Sequence, residues 1–348
     1  LRYKASMDVL VFLLEQKPNL VEEKDIYGEF PLHTACYNKS PLEVVSFLIE
    51  CWPDALKGNR ICRGTPLHYA CKKKAPFEVV SLLVEHYPDA LKMKSLNDET
   101  PLHLACEHQE PLIEVVSLLI ERWPDALREK AMYDYTPLHL VCVHEAPIEV
   151  VSLIVKRYPD GLGEKAGYAC DFTPLHIACR NQPSLAMVSL LIEHYPDALR
   201  EKLKSCDYLP LHVACRKQAS CDVVAALIEK HPEATTEREK NGELPLDLAI
   251  TYDAPEDTQK LLLHVTGLFN DKEDNKACVA EEATNFFTEI EWWSGILLVL
   301  VKYPTVITQT SSLHIKTIPD LLSMVGHCCN IKTMWKILCE KQDLFKDI

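Results

Sequence analysis

The chain has 348 residues, of which 47% are hydrophobic and 25% charged, a composition typical of a folded protein and not of a disordered one. Its net charge of −14 argues against binding to duplex nucleic acid, where affinity comes mainly from cations that neutralise phosphates. The longest strongly apolar stretch, residues 292–301, is shorter than the roughly 20 residues of a membrane helix. We therefore expect a cytoplasmic protein that neither binds nucleic acid nor inserts into a membrane.

The start of the chain has the pattern of an interrupted structural unit. Residues 7–21 carry the apolar spacing of the second half of a repeated unit, with Pro18 at the position where its helix ends. The sequence pattern of the first half does not come before them. The sequence also opens at Leu1 without an initiator Met. We expect the chain to begin inside a repeat and to be a fragment of a longer product, or to lack part of its start.

One hexapeptide frame returns six times, first as Pro31-Leu32-His33-Thr34-Ala35-Cys36. The other five frames begin at Pro66, Pro101, Pro137, Pro174 and Pro210. Successive prolines lie 35, 35, 36, 37 and 36 residues apart, and a weaker seventh copy begins at Pro245, 35 residues later. A fixed period of this size predicts a solenoid, in which each unit buries its apolar face against its neighbours.

Each repeat is predicted to form two helices. Pro31 suits the first position of a helix, where its missing N–H has no partner to lose. The segment from Ser40 to Glu43 is typical of a capping box that starts a second helix, and Pro53 ends that helix. More polar residues then lead into the next repeat. The predicted unit is helix, turn, helix and finger, which makes the fold all-α.

The chain has fifteen cysteines, and six of them share one register of the repeat: Cys36, Cys71, Cys106, Cys142, Cys179 and Cys215. Stacked helices lie about 8–10 Å apart, whereas a disulfide needs Cα atoms within about 7 Å. We therefore expect reduced cysteines that pack as small apolar residues of the core.

Four frames are preceded by threonine, namely Thr65, Thr100, Thr136 and Thr173. The resulting Thr-Pro-Leu-His-x-Ala motif, with Val141 in place of Ala in one copy, resembles the ankyrin repeat. The resemblance implies an ankyrin-type helix-turn-helix solenoid with β-turn fingers, whose concave face recognises other proteins. These repeats are longer than the usual 33 residues of the family, and Tyr-Pro-Asp-Ala-Leu replaces its glycine-containing ending.

The repeat pattern predicts an array over residues 1–264. It comprises a partial unit at 1–24 and units that begin near residues 25, 60, 95, 131, 167, 203 and 239. Residues 265–290, with an acidic run at 271–274, are expected to form an acidic loop or a degenerate unit. Residues 291–348 are expected to be degenerate helical repeats that cap the array, with a last helix at 333–341.

Positions that are alike in every repeat hold the stack, so the positions that differ are candidates for binding a partner. On the fingers these candidates are Tyr27, Glu29, Asn97, Glu99, Tyr133, Tyr135, Phe172 and Tyr208. After the repeated cysteine they are Tyr37, Lys72, Lys73, His108, His144, Arg180 and Arg216. Aromatic residues are enriched at interface centres. The alternative for the aromatic candidates is packing between fingers, and that for the lysines is a solvated helix end.

The repeated His-x-x-Cys pair raises the question of a zinc site. A structural zinc site needs four converging ligands, whereas each pair faces its own repeat. We expect the histidines to bond the backbone of the adjoining finger instead, and we expect no metal, cofactor or catalytic residue. The predicted function is a non-enzymatic, monomeric scaffold or adaptor for a protein partner. The alternative is a targeting or regulatory region of a larger enzyme, such as a kinase or ubiquitin ligase, whose catalytic part lies outside this chain.

Overall fold

A computed structural model describes residues 7–57, 64–168, 170–269 and 276–303. These residues form pairs of helices in the predicted order. The helices are α1 Met7–Gln16, α2 Pro31–Tyr37, α3 Leu42–Cys51, α4 Pro66–Lys72, α5 Phe77–His86, α6 Pro101–Cys106, α7 Ile113–Arg122, α8 Pro137–Val143, α9 Ile148–Arg157, α10 Pro174–Arg180, α11 Leu185–His194, α12 Pro210–Arg216, α13 Cys221–Lys230, α14 Pro245–Thr251, α15 Glu256–Phe269, α16 Lys276–Glu289 and α17 Trp293–Lys302. The all-α, helix-turn-helix architecture is thereby confirmed.

The chain divides into two compact units, Leu1–Val213 and Ala214–Ile348. In the first unit, the first helices of successive repeats pack side by side, α2 on α4, α4 on α6, α6 on α8 and α8 on α10. The second helices form a parallel row in which α3, α5, α7, α9 and α11 each contact the next. Every repeat therefore buries its apolar face against its neighbours, as expected of a solenoid.

The first helix of four repeats begins with a reciprocal cap. Thr65, at the N-cap, pairs with His68 three residues later: the Thr65 N–H donates to His68 Nδ1 over 3.1 Å. The Thr65 hydroxyl also lies 2.8 Å from the same nitrogen. The capping box predicted at the second helix is wrong, because Pro41 occupies the N-cap of α3 and no side chain caps that helix. The reciprocal cap belongs to the first helix, where histidine replaces the usual Glu or Gln.

A five-residue 3₁₀ helix follows each of the second helices α3, α5, α7, α9, α11 and α13. In the repeat of α3 it spans Pro53–Lys57, and its Ala55 and Leu56 are buried. The same element recurs at Pro88–Lys92, Pro124–Arg128, Pro159–Gly163, Pro196–Arg200 and Pro232–Thr236. This element takes the place of the glycine-containing ending, because proline starts the 3₁₀ turn and the Ala-Leu pair anchors it in the core.

The six repeated cysteines lie in the core, as predicted. Each is at most 2% exposed. Burial raises the pKa of Cys36 and of Cys142 to about 12, so these thiols stay protonated at neutral pH. A protonated, inaccessible thiol is a poor nucleophile and a poor metal ligand. These cysteines pack as small apolar side chains.

In the second unit, α13, α14 and α16 each contact α15. Most of residues 265–290, which the sequence predicts to be an acidic loop or a degenerate unit, is helical: α15 continues to Phe269 and α16 covers Lys276–Glu289. Phe287 of α16 is fully buried, which gives the helix an apolar anchor. The acidic run at 271–274 and the predicted helix at 333–341 lie outside the described residues.

The apolar stretch near Trp292 forms α17, which ends one residue before Tyr303. The Tyr303 hydroxyl donates to the carbonyl of Leu268 in α15 over 2.9 Å, so this end of α17 is tied to the second unit. Within the four described ranges, no helix is long and apolar enough to cross a membrane. The proposed role of residues 291–348 as a cap stays a prediction.

Candidate functional site

The described fingers of the first unit are short turns, each closed by a backbone hydrogen bond. Ala131 N donates to Tyr135 O over 2.9 Å, and Ser95 N donates to Glu99 O over 2.8 Å. Adjacent fingers are also tied together: Met132 N donates to Asn97 O over 3.0 Å, and Gly167 N donates to Tyr133 O over 2.8 Å. Lys204 N continues the series by donating to Cys170 O over 3.2 Å. The fingers at residues 95–99, 131–135, 166–172 and 203–208 therefore form one backbone-paired row, which we call the fingertip ridge.

Large apolar side chains are exposed along this ridge. Tyr133 is 55% exposed, Leu96 69% and Tyr168 93%. The rings of Tyr133 and Tyr168 meet edge to face with centroids 6.3 Å apart, so neighbouring fingers share one aromatic patch. Asn97 is also exposed on this row. Tyr27, 60% exposed, lies at the tip of an earlier finger.

Tyr168 is absent from the candidates predicted from sequence. Its finger spans residues 166–172 and is longer than its neighbours, so alignment by position placed the tip at residues 169–172. In the sequence, this longer finger is visible as the 37-residue spacing between Pro137 and Pro174, compared with 35 or 36 residues between the other successive prolines. The extra length presents Tyr168 to solvent.

Three other aromatic candidates pack inward. Tyr208 is only 7% exposed, and its ring stacks on His212 with centroids 5.7 Å apart. Tyr135 and Phe172 are half-buried, with centroids 5.8 Å from His139 and 6.4 Å from His176 respectively. All three precede the Thr-Pro-Leu-His or Leu-Pro-Leu-His start of a first helix. Aromatic residues at this position cover the repeated histidine, and Tyr208 has almost no surface left for a partner.

Five predicted candidates meet in a pocket of about 190 Å³ on the first helices: Glu29, Tyr37, Lys72, Lys73 and Glu99. Its other lining residues include Tyr69 and Leu104, which occupy the variable position between His and Ala in the frame. The Tyr69 hydroxyl donates to Glu29 Oε1. The Lys73 ammonium lies 4.1 Å from the centroid of the Tyr37 ring, a cation–π contact. Sequence reasoning missed Tyr69, although its position varies among the repeats.

Glu107 is not a lining residue, but it interacts with Glu99, which lines the pocket. Burial raises the pKa of Glu107, and the hydrogen bond and negative charge of Glu99 raise it further, while Lys72 opposes the shift. Two carboxyl groups in contact disfavour double ionisation. The pocket therefore offers carboxyl groups and lysine ammonium groups, which suit polar side chains of a partner.

The remaining candidates follow the repeated cysteine. His108 is half-buried, and its Nε2 lies 3.0 Å from the carbonyl oxygen of Cys71 in the preceding repeat. His144 is half-buried, and burial lowers its pKa. Arg180 is exposed over the Phe172 ring at 5.6 Å, and Arg216, in the second unit, lies 5.3 Å from the Tyr252 ring. Both arginines cover an aromatic face of their own unit.

Four of the repeated histidines, His68, His103, His139 and His176, bond backbone carbonyls in or next to the adjoining finger, as predicted. His139 Nδ1 accepts from the Thr136 N–H over 3.2 Å, so Nε2 carries the proton and donates to Glu164 O and Phe172 O over 3.2 and 3.3 Å. His103 and His176 make the same contact with Tyr135 O and Tyr208 O. Burial lowers the pKa of His139 to about 4, so the ring is neutral at physiological pH. Both nitrogens are occupied by the fold. In the part of the chain that the structure describes, no three His, Cys, Asp or Glu side chains are grouped to hold a metal ion.

Comparison with known proteins agrees with this geometry. A family model described as ankyrin repeats (3 copies) matches residues 2–93, 149–238 and 175–274, and a model described as ankyrin repeat matches residues 97–127. No curated protein matches the chain. The ankyrin repeat domain of human ASB11 superposes with a TM-score of 0.55 at 23% identity, over 68% of this chain and 97% of that domain.

A second solved structure gives a similar result. The ankyrin repeat domain of Bcl-3, described as a unique member of the IkappaB protein family, superposes with a TM-score of 0.54 at 25% identity, over 69% of this chain and 99% of that domain. Both structures share the fold of this chain. Because the family models match more than half of its residues, the chain belongs to the ankyrin-repeat family.

Proposed function

We propose that the chain is a non-catalytic scaffold or adaptor that binds a protein partner along the fingertip ridge and the adjoining pocket of the first helices. Ankyrin repeats are generally protein–protein interaction modules. The observation that carries the proposal is the shared aromatic patch of Tyr133 and Tyr168. Both rings are exposed, and the fingers that present them are hydrogen-bonded to each other through their backbones. A rigid, exposed aromatic pair loses little conformational entropy on binding.

The pocket lined by Glu29, Tyr37 and Lys73 supports the same proposal. It lies mainly on the two repeats that precede the ridge, reaches Glu99 of the first ridge finger, and adds carboxylate and ammonium groups. An interface of this kind combines apolar anchors with a polar surround, which is the usual anatomy of a specific protein–protein interface. The pocket gives specificity, and the ridge supplies apolar area.

The test compares three forms of the full chain as bait in lysate of the cells that express it. The forms are the wild type, the double variant Tyr133→Ala/Tyr168→Ala, and the control Phe77→Ala/Ile113→Ala. Phe77 and Ile113 are 38% and 40% exposed at the starts of second helices, so the control also removes exposed apolar area.

We expect the wild type and the control to retain the same protein, and the ridge variant to retain at least about tenfold less of it, because aromatic anchors dominate interface energy. Circular dichroism checks that all three forms fold. Equal retention by all three forms would contradict the proposed binding surface.

A further inference from the structure

Each finger of the ridge carries an aspartate at its last turn position. Asp98, Asp134, Asp171 and Asp207 have φ angles of 58°, 62°, 56° and 60°, all in the left-handed region. Asp98, Asp134 and Asp207 are exposed, and Asp171 is half-buried. Because the fingers are paired through their backbones, the four aspartates occupy equivalent positions of successive fingers, and we call this set the aspartate row.

The turn geometry alone does not require these carboxylates. The corresponding position is Gly28, with φ 78°, in an earlier finger, and Gly242, with φ 88°, in a later one. Glycine adopts this conformation without steric cost, and asparagine tolerates it as well as aspartate does. The four middle fingers therefore meet the same backbone requirement with a residue that adds a negative charge.

The lysines at the bases of these fingers are ion-paired with glutamates, and the charges of Asp134 and Asp171 also raise the pKa of Lys130 and Lys165. Lys94, Lys130 and Lys165 form ion pairs with Glu129, Glu164 and Glu201 over 2.8, 2.9 and 2.8 Å. Among the described residues, none of the four aspartates forms an ion pair within 4.0 Å. Lys204 is an exposed cation on the last finger, so it offsets part of the negative charge at Asp207.

We propose that the fingertip ridge binds a basic segment of a partner protein that also carries apolar side chains. Lysine or arginine side chains would face the aspartate row, and the faces of Tyr133 and Tyr168 would accept apolar groups or a cation. The same row repels nucleic acid and anionic lipid. The inference rests on the proposed function and adds the chemistry of the partner.

The experiment uses the full chain and a random peptide library displayed on phage. Peptides enriched on the wild type are synthesised, and their affinities are measured for two quadruple variants. The ridge variant is Asp98→Asn/Asp134→Asn/Asp171→Asn/Asp207→Asn. The matched control is Asp89→Asn/Asp125→Asn/Asp160→Asn/Asp197→Asn, at the exposed aspartates that follow each second helix. Both variants lose the same four charges, and asparagine keeps the left-handed turns available.

We expect enriched peptides with net positive charge and at least one aromatic or large aliphatic residue. Their Kd should weaken at least about tenfold on the ridge variant, change less than about twofold on the control, and weaken as salt is raised. Enrichment of peptides without basic residues, or equal weakening on both variants, would overturn this inference and leave the proposed function standing. Failure to enrich any peptide would contradict both.

Discussion

At the scale of single residues, the repeats separate side chains that hold the fold from side chains that face solvent. The sequence predicted the role of the repeated histidine, because an identical residue in six copies cannot be specific to one partner. It did not separate Tyr133 from Tyr135, which belong to the same finger. Only the structure shows that Tyr133 is 55% exposed whereas Tyr135 lies against His139. Two positions along one short turn point in different directions, and that direction depends on the turn conformation.

The difference between a residue that stabilises the fold and a residue that faces solvent is testable within one repeat. His139→Ala removes the bonds to Thr136, Glu164 and Phe172 and leaves buried polar groups unpaired. We expect it to lower the free energy of unfolding by about 1–3 kcal/mol. Tyr133→Ala should change it by no more than about 0.5 kcal/mol. Urea unfolding followed by circular dichroism measures both, and an equal loss in the two variants would show that Tyr133 is a packing residue.

Tyr133 also has a strained backbone, with φ 64° in the left-handed region. A bulky residue rarely adopts this conformation, which costs roughly 1–2 kcal/mol relative to the right-handed region. We expect Tyr133→Gly to leave the melting temperature equal to or above that of the wild type while it weakens peptide binding. Strain kept at an exposed aromatic residue is consistent with selection for function. A melting temperature below that of Tyr133→Ala would contradict the strain argument.

At the scale of elements, the order of helices follows directly from the period of the apolar residues and the fixed prolines. The starts of the second helices were predicted less well, because proline at position 41 takes the N-cap itself and displaces Ser40. The pocket of Glu29, Tyr37, Tyr69 and Lys73 was also beyond the sequence, since it joins residues of different repeats. Such contacts depend on how one repeat is stacked on the next.

The packing of α16 on α15 gives a prediction about the end of the second unit. Leu261, Leu262, Val265 and Leu268 of α15 are fully buried, and the Phe286 ring of α16 lies 5.0 Å from the His264 ring. A chain that stops at residue 275 loses this cover. We expect it to associate and to bind a hydrophobic dye, because each exposed large aliphatic side chain costs about 1.5–3 kcal/mol. A chain that stops at Tyr303 keeps α16 and α17 and is the matched control, so equal association of both would show that α16 is not a cover.

At the scale of the whole molecule, repetition multiplies the effect of one residue. Burial lowers the pKa of His33, His68, His103, His139 and His176 from an ordinary value of 6.5 to about 4. These histidines stay neutral in the folded chain while they gain protons in the unfolded chain. Backbone carbonyls of the adjoining fingers oppose the shift without cancelling it. The unit formed by Leu1–Val213 therefore contains five buried histidines, each of which makes its stability sensitive to acid.

The sign of the pH dependence follows from proton counting. Between pH 6.5 and about 4 the unfolded chain binds more protons than the folded chain, so the free energy of unfolding falls as the pH falls through this range. From about pH 7.5 to about pH 5 the loss should be roughly 2 kcal/mol for each buried histidine. Urea unfolding across this range measures the slope. His103→Gln should reduce the slope, whereas His86→Gln, at an exposed position, should leave it unchanged. A stability that is flat over this range would show that the repeated histidines are not held neutral by burial.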